Sequence, residues 1–139
     1  MSAQEDHSML DAKTISISID RPWRALYEQI WKPEIFAQWA SGLSQSSLHQ
    51  DGDRWAADGP EGKVRIRFSA YNEFGVMDHY VDVGTGPEIY IPLRVIGNGD
   101  GAEVLLTLFR QPEMTDEKFR EDAEWIERDL AALRAMVAA

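Results

Sequence analysis

The sequence predicts an α+β domain, with a seven-stranded antiparallel sheet packed against one long C-terminal helix and two short helices after the first strand. Three observations carry this expectation. Several segments alternate polar and apolar residues at a period of two, as half-buried strands do. From residue 43 to 111 these segments are joined by hairpin-length turns, which suit antiparallel neighbours. Beyond Pro112 the apolar spacing changes to steps of three and four, the pattern of an amphipathic helix. A sheet with one apolar face and a helix with one apolar stripe bury them against each other.

The elements follow in order. Residues 1–12 are polar and acidic and read as a flexible tail, leaving 13–139 as a single domain. Thr14–Ile19 alternates strictly as the first strand. Asp20-Arg21-Pro22 then starts a helix, with Asp20 as the expected cap and Trp23, Leu26, Tyr27 and Ile30 at helical spacing. Lys32-Pro33-Glu34 breaks it and opens a second short helix carrying Ile35, Phe36 and Trp39, with Gly42 as its stop. Strands are expected at Leu43–Gln50, Asp53–Ala57, Lys63–Tyr71, Val76–Val83, Glu88–Ile96 and Ala102–Arg110. Asp51-Gly52, Gly84-Thr85-Gly86-Pro87 and Asn98-Gly99-Asp100-Gly101 supply turn chemistry. The last helix begins near Thr115 or Asp116 and aligns Phe119, Ala123, Ile126, Leu130, Leu133 and Val137. Its acids crowd the first turns, which complements the helix dipole.

Register can also be read. A two-residue turn at Asn72-Glu73 would set Arg67 opposite Asp78, Arg65 opposite Tyr80, Lys63 opposite Asp82 and Ile66 opposite His79. Closing the next hairpin at Gly84–Gly86 sets His79 opposite Ile91 and Met77 opposite Leu93. His79 thereby joins Ile66, Phe68, Met77 and Val81 on one inner face. On the outer face Tyr90 meets Phe109 and Arg94 meets Leu105. With Pro92 and Ile96 these form an apolar patch, explained either by a bulge at Pro92 or by a homodimer interface through Tyr90, Pro92, Leu105 and Phe109.

Composition excludes several functions. The chain has 139 residues, 44% hydrophobic and 27% charged, enough to bury a core. Its formal charge of −10, from 14 basic and 24 acidic residues, repels phosphate backbones and anionic lipids. Nucleic-acid binding and membrane insertion are therefore not expected, and no apolar run approaches the roughly 20 residues of a membrane span. The absence of cysteine removes disulfides, thiolate metal sites and cysteine nucleophiles. With no secretion-signal pattern at the start, the expected location is the cytoplasm.

Element order, together with Pro22-Trp23-Arg24-Ala25-Leu26-Tyr27 opening the first helix and Pro33-Glu34-Ile35-Phe36-Ala37-Gln38-Trp39 forming the second, resembles the START-like (SRPBCC) superfamily. This is also called the Bet v 1-like or helix-grip fold, and the bacterial polyketide cyclase/dehydrase-like branch is the most similar. The resemblance spans roughly residues 13 to 138. It implies a sheet wrapped around the last helix with an apolar ligand cavity between them, and it brings no catalytic signature.

Among residues that could carry chemistry, His79 is the titratable group placed on the inner face. It is either a polar handle or general base for a ligand, or a packed histidine satisfied by a carbonyl or tyrosine; burial would keep it neutral. Asp78 and Asp82 point away from His79, so no metal site is expected. Gly97–Gly101 lies between strands and lacks the Lys-Ser/Thr ending of a phosphate loop. Ser41–Ser47 contains no nucleophile motif. Core packing accounts for most of the tryptophans at 23, 31, 39, 55 and 125; Trp39 and Trp55 are alternatively placed at a cavity mouth, and Trp125 is off the apolar stripe.

The leading expectation is binding of a small hydrophobic ligand in a cavity between sheet and C-terminal helix. Its lining would come from Trp39, Trp55, Ile66, Phe68, Met77, His79, Val81, Ile91, Leu93, Leu106, Phe119, Ile126 and Leu130, with no cofactor. The alternatives are a polyketide cyclase-like enzyme using His79 as base, and a protein-interaction module.

Overall fold

Strict alternation from residue 12 to 19 produces the first strand, β1 (Ala12–Ile19), whose Ile15 and Ile19 point inward. The computed structural model describes residues 9–40, 48–59 and 62–138; residues 1–8 of the expected 1–12 tail, the Gly42 helix stop and residues 43–47 of the expected Leu43–Gln50 strand lie outside them, while Ala12 already belongs to β1. Two short helices follow, α1 (Trp23–Ile30) and α2 (Pro33–Trp39). Proline suits the first turn of α2, where a missing N–H costs nothing. Asp20 does not cap α1 as expected: the cap position is Pro22, and no side chain bonds the helix start.

The strands continue as β2 (His49–Asp51), β3 (Arg54–Gly59), β4 (Gly62–Phe68), β5 (His79–Asp82), β6 (Ile89–Ile91), β7 (Leu93–Asn98) and β8 (Gly101–Phe109). Among the described residues this makes eight strands where seven were expected, because Pro92, which has no N–H to donate, splits one segment into β6 and β7. The strands fall into two antiparallel sheets, ordered β1-β8-β7 and β2-β3-β4-β5-β6. Bonds across the break hold them together: Thr107 N–H donates to Pro92 O (3.0 Å) and Met77 N–H to Leu93 O (2.8 Å).

The long helix α3 (Asp116–Ala138) is capped by Thr115, whose Oγ1 accepts from Lys118 N–H at 3.0 Å. Its Ala123, Leu130, Leu133 and Val137 are buried, largely against β1, while Phe119 and Ile126 are half-buried. Arg21 donates to the carbonyl of Val137, bringing a cation to a helix end that has no basic residue of its own. Trp125 lies outside the stripe and is 44% exposed, beneath the Arg128 guanidinium.

Two register expectations hold and one is corrected. His79 pairs with Ile91, and Arg94 with Leu105. The β4–β5 pairing is displaced by two residues, to Arg65 with Asp82, Ile66 with Val81, Arg67 with Tyr80 and Phe68 with His79. The cause is the link at 69–78, which is an ordered loop rather than a two-residue turn. Asn72 Oδ1 accepts from Phe74 and Val76 N–H, and its Nδ2 donates to the carbonyls of Ala70 and Val76. Strand pairing therefore starts only at His79, with Val76 left as a single bridge to Arg94. A slip of two residues preserves the face of every side chain, so His79 still points inward.

The same slip changes the outer-face charges. Asp78 pairs with Arg94 rather than Arg67, and Lys63 lies opposite Asp58 rather than Asp82. Arg67 instead reaches Glu88 (3.1 Å), which also binds Arg54. The outer patch is an aromatic ladder: Arg67 lies over Tyr80 (4.2 Å), Tyr80 stacks on Tyr90 (5.0 Å), and Tyr90 on Phe109 (6.2 Å). The break at Pro92 leaves this register intact, contrary to the bulge expectation.

Candidate functional site

The site is built where the α1–α2 junction meets β3 and β4. Proline after Lys32 ends α1 at Ile30, so Trp31 sits at a helix end, where its ring packs edge-on against Tyr71 (5.1 Å) and borders the groove. An open groove of about 420 Å³ runs there, bordered by Trp31, Lys32, Pro33, Glu34, Asp53, Trp55, Phe68, Ser69 and Ala70. Behind it is a much smaller void of about 10 Å³, bordered by Tyr27, Trp31, Phe36, Phe68, Ser69, Val76 and Met77. Three residues belong to both walls: Trp31, Phe68 and Ser69. Ser69 is fixed by donating its hydroxyl to Asp78 O (2.6 Å). The half-buried Phe68 ring completes the partition beside Trp31.

Beneath Phe68 lies a cluster of rings. Phe36 packs on His79 (4.9 Å between centroids), Trp39 (5.0 Å) and Phe68 (5.6 Å), and Phe68 packs on His79 (5.6 Å). His79 is 3% exposed, and burial lowers its pKa from 6.5 against the opposing pull of the Met77 carbonyl and Asp78. The ring is neutral at pH 7. Its Nδ1 lies 3.1 Å from Met77 O, and a carbonyl can only accept, so Nδ1 carries the proton and Nε2 keeps its lone pair. Trp39 Nε1–H is also buried and has no hydrogen-bond partner among the described residues.

Asp78, next in sequence, faces the other way. It accepts from Leu93 N–H (2.9 Å), Arg94 Nε and Nη2 (2.9 and 2.8 Å) and Tyr90 O–H (2.7 Å). Burial alone would raise its pKa, but these bonds outweigh it and hold the carboxyl below its ordinary 3.8. The network ties β5, β6 and β7 together at Pro92 and so sets the position of His79.

Of the residues expected to line a ligand site, Trp55 and Phe68 border the groove, and Phe68 and Met77 the small void. His79 and Trp39 lie in the ring cluster behind them. Ile66, Leu93, Leu106 and Leu130 are packed in the core, and Val81, Ile91, Phe119 and Ile126 are half-buried without bordering either space. Trp31, read as core, borders the groove, whereas Trp39 is only 3% exposed. The Lys32-Pro33 break was the available signal for Trp31, since a ring at an interrupted helix end has lost its next-turn neighbours. Nothing local marked Asp53 or Ser69.

No family model and no curated protein matches the sequence. Solved structures do match its fold. A Bacillus thuringiensis protein of uncharacterised function superposes with a TM-score of 0.73 at 15% identity, covering 93% of this chain and 100% of that one. DynU16, described as a protein of the dynemicin biosynthetic locus, gives 0.67 at 16% identity over 93% of this chain and 48% of its own. Ara h 8.0201 gives 0.61 at 10% identity, over 93% and 98%. These superpositions over 93% of the chain, with its antiparallel strands and long terminal helix, show a Bet v 1-like, helix-grip fold.

Proposed function

We propose that this protein binds a small hydrophobic molecule in the groove at the α1–α2 junction. The observation that carries the reading is the groove itself: about 420 Å³, walled by Trp31, Trp55 and Phe68, and open to solvent. That volume lies within the roughly 300–1,000 Å³ of small-molecule sites, and three aromatic walls supply apolar area with little entropy to lose. This reading puts the ligand at the Lys32-Pro33 break rather than between sheet and α3, because Leu130, Leu133 and Val137 are buried on the α3 side. A cyclase would need its base within reach of substrate. His79 is covered by Phe36 and Phe68, which favours binding over turnover.

The test is titration with naphthalene followed by tryptophan fluorescence. Wild-type protein is expected to bind saturably, and Trp55→Ala to weaken binding about tenfold, the loss of one aromatic wall. Trp125→Ala, on the exposed side of α3, should leave affinity unchanged. Absence of saturable binding by folded wild-type protein would overturn the reading.

A further inference from the structure

The side chains that border the groove favour one sign of charge in what they bind. Its aromatic walls, Trp31, Trp55 and Phe68, carry partial negative charge on their ring faces, which attract cations and repel anions. Two of its three charged side chains are carboxylates, Asp53 and Glu34, against the single Lys32. Arg54, which follows Asp53, is committed to Glu88. The Ser69 hydroxyl gives its proton to Asp78 O at 2.6 Å, so toward a ligand it can only accept. Pro33, also on the border, has no N–H to donate. The net charge of −10 adds a field of the same sign over the whole surface.

The chemistry of candidate ligand groups separates them. A carboxylate or phosphate meets the negative ring faces and two like charges, with Lys32 alone to offset them. A carbonyl or ether can only accept, and Lys32 is again the one bordering side chain with a free proton to give. A hydroxyl donates once. An ammonium donates from every N–H, and its charge is matched by Asp53, Glu34 and the ring faces together. Lys32 opposes it, but Lys32 is exposed on a flexible four-carbon stem and can turn to water. Resting on the groove reading above, we propose that the ligand is an organic cation, an apolar ring carrying a protonated amine. Its ring lies among Trp31, Trp55 and Phe68, and its ammonium is held by the Asp53 and Glu34 carboxylates with Ser69 Oγ as a neutral acceptor.

The experiment is equilibrium dialysis of the full chain at pH 7 with probes that share one ring system. These are naphthalene, 1-naphthylmethanol, 1-naphthoate and 1-naphthylmethylamine, which is an ammonium at that pH. Salt at about 0.15 M screens exposed charges beyond about 8 Å, so the comparison reads the groove and not the net charge. Wild-type protein should bind the amine about tenfold more tightly than the alcohol, and the naphthoate more weakly than either. Asp53→Asn should cut the amine's advantage over the alcohol about threefold, and Lys32→Gln should raise it by about the same factor. Both side chains are exposed, so neither substitution threatens the fold. Opposite signs at the two positions separate an effect of charge from one of packing. If naphthalene binds but the amine binds no tighter than the alcohol, or if both substitutions leave the ratio unchanged, this proposal falls while the groove reading stands. If none of the probes binds, both fall.

Discussion

Removing Asp78 should cost far more stability than removing the arginine that pairs with it. The carboxylate is 9% exposed and collects three donor groups: the Arg94 guanidinium, the Tyr90 hydroxyl and the buried Leu93 N–H. Asp78→Ala strips the acceptor from all three, and Leu93 N–H cannot turn to water because Leu93 is fully buried. Hydrogen bonds to a charged group contribute about 1.5–3 kcal/mol, and an orphaned buried donor adds its desolvation, so the expected loss is about 3 kcal/mol. Arg94→Ala leaves the carboxylate two donors and admits water, and the Arg94 side chain is 47% exposed; its loss should be about 1 kcal/mol. Tyr90→Phe should cost a similar amount. Urea denaturation at pH 7 measures all three, and Asp78→Ala should lower the melting temperature by roughly 10 °C. Because the folded-state pKa lies below the ordinary 3.8, the stabilisation is full above that value and fades as pH falls through the folded pKa. The gap between wild type and Asp78→Ala should therefore narrow in strong acid. An Arg94→Ala variant as damaged as Asp78→Ala would refute the reasoning.

Two further outcomes follow from backbone and burial. Gly75 has φ of 70°, and an added Cβ would lie 2.2 Å from the Val95 carbonyl oxygen, whereas Gly99, at φ of 57°, has open space around it. Gly99→Ala should cost about 1 kcal/mol and Gly75→Ala at least about 3 kcal/mol; equal denaturation midpoints would show that the clash is relieved. His79 has a folded-state pKa lowered from 6.5 by burial, so the unfolded chain takes up its proton first as pH drops. Stability should be full above 6.5 and fall below it by up to about 1.4 kcal/mol per pH unit, and urea titrations of His79→Leu should lack that slope.

The inner face was legible because strand alternation survives errors in turn length. The loop at 69–78 moved the β4–β5 pairing by two residues, yet His79, Phe68 and Val81 kept their face. The outer-face charge pairs did not survive, since a partner depends on register and not only on parity. Arg67 therefore found Glu88, and Asp78 found Arg94. Asn72 looked like ordinary turn chemistry, and its four-bond loop depends on where four backbone groups lie in space. The groove was illegible for the same reason: Trp31, Asp53 and Ser69 come from three separate stretches of chain.

By itself the sequence determined an antiparallel sheet with a long terminal helix, the inward placement of His79 and a composition without cysteine, because periodicity and composition are local properties of the chain. Only the tertiary structure decided where free space remains. Packing volumes cannot be summed along a chain, so it took the folded molecule to bring the core against α3 nearly closed and leave a groove at the Lys32-Pro33 break. Nor could the sequence tell which polar atoms would stay unmatched: Trp39 Nε1 is an ordinary donor in the chain and, among the described residues, lacks a partner only once it is buried against Phe36.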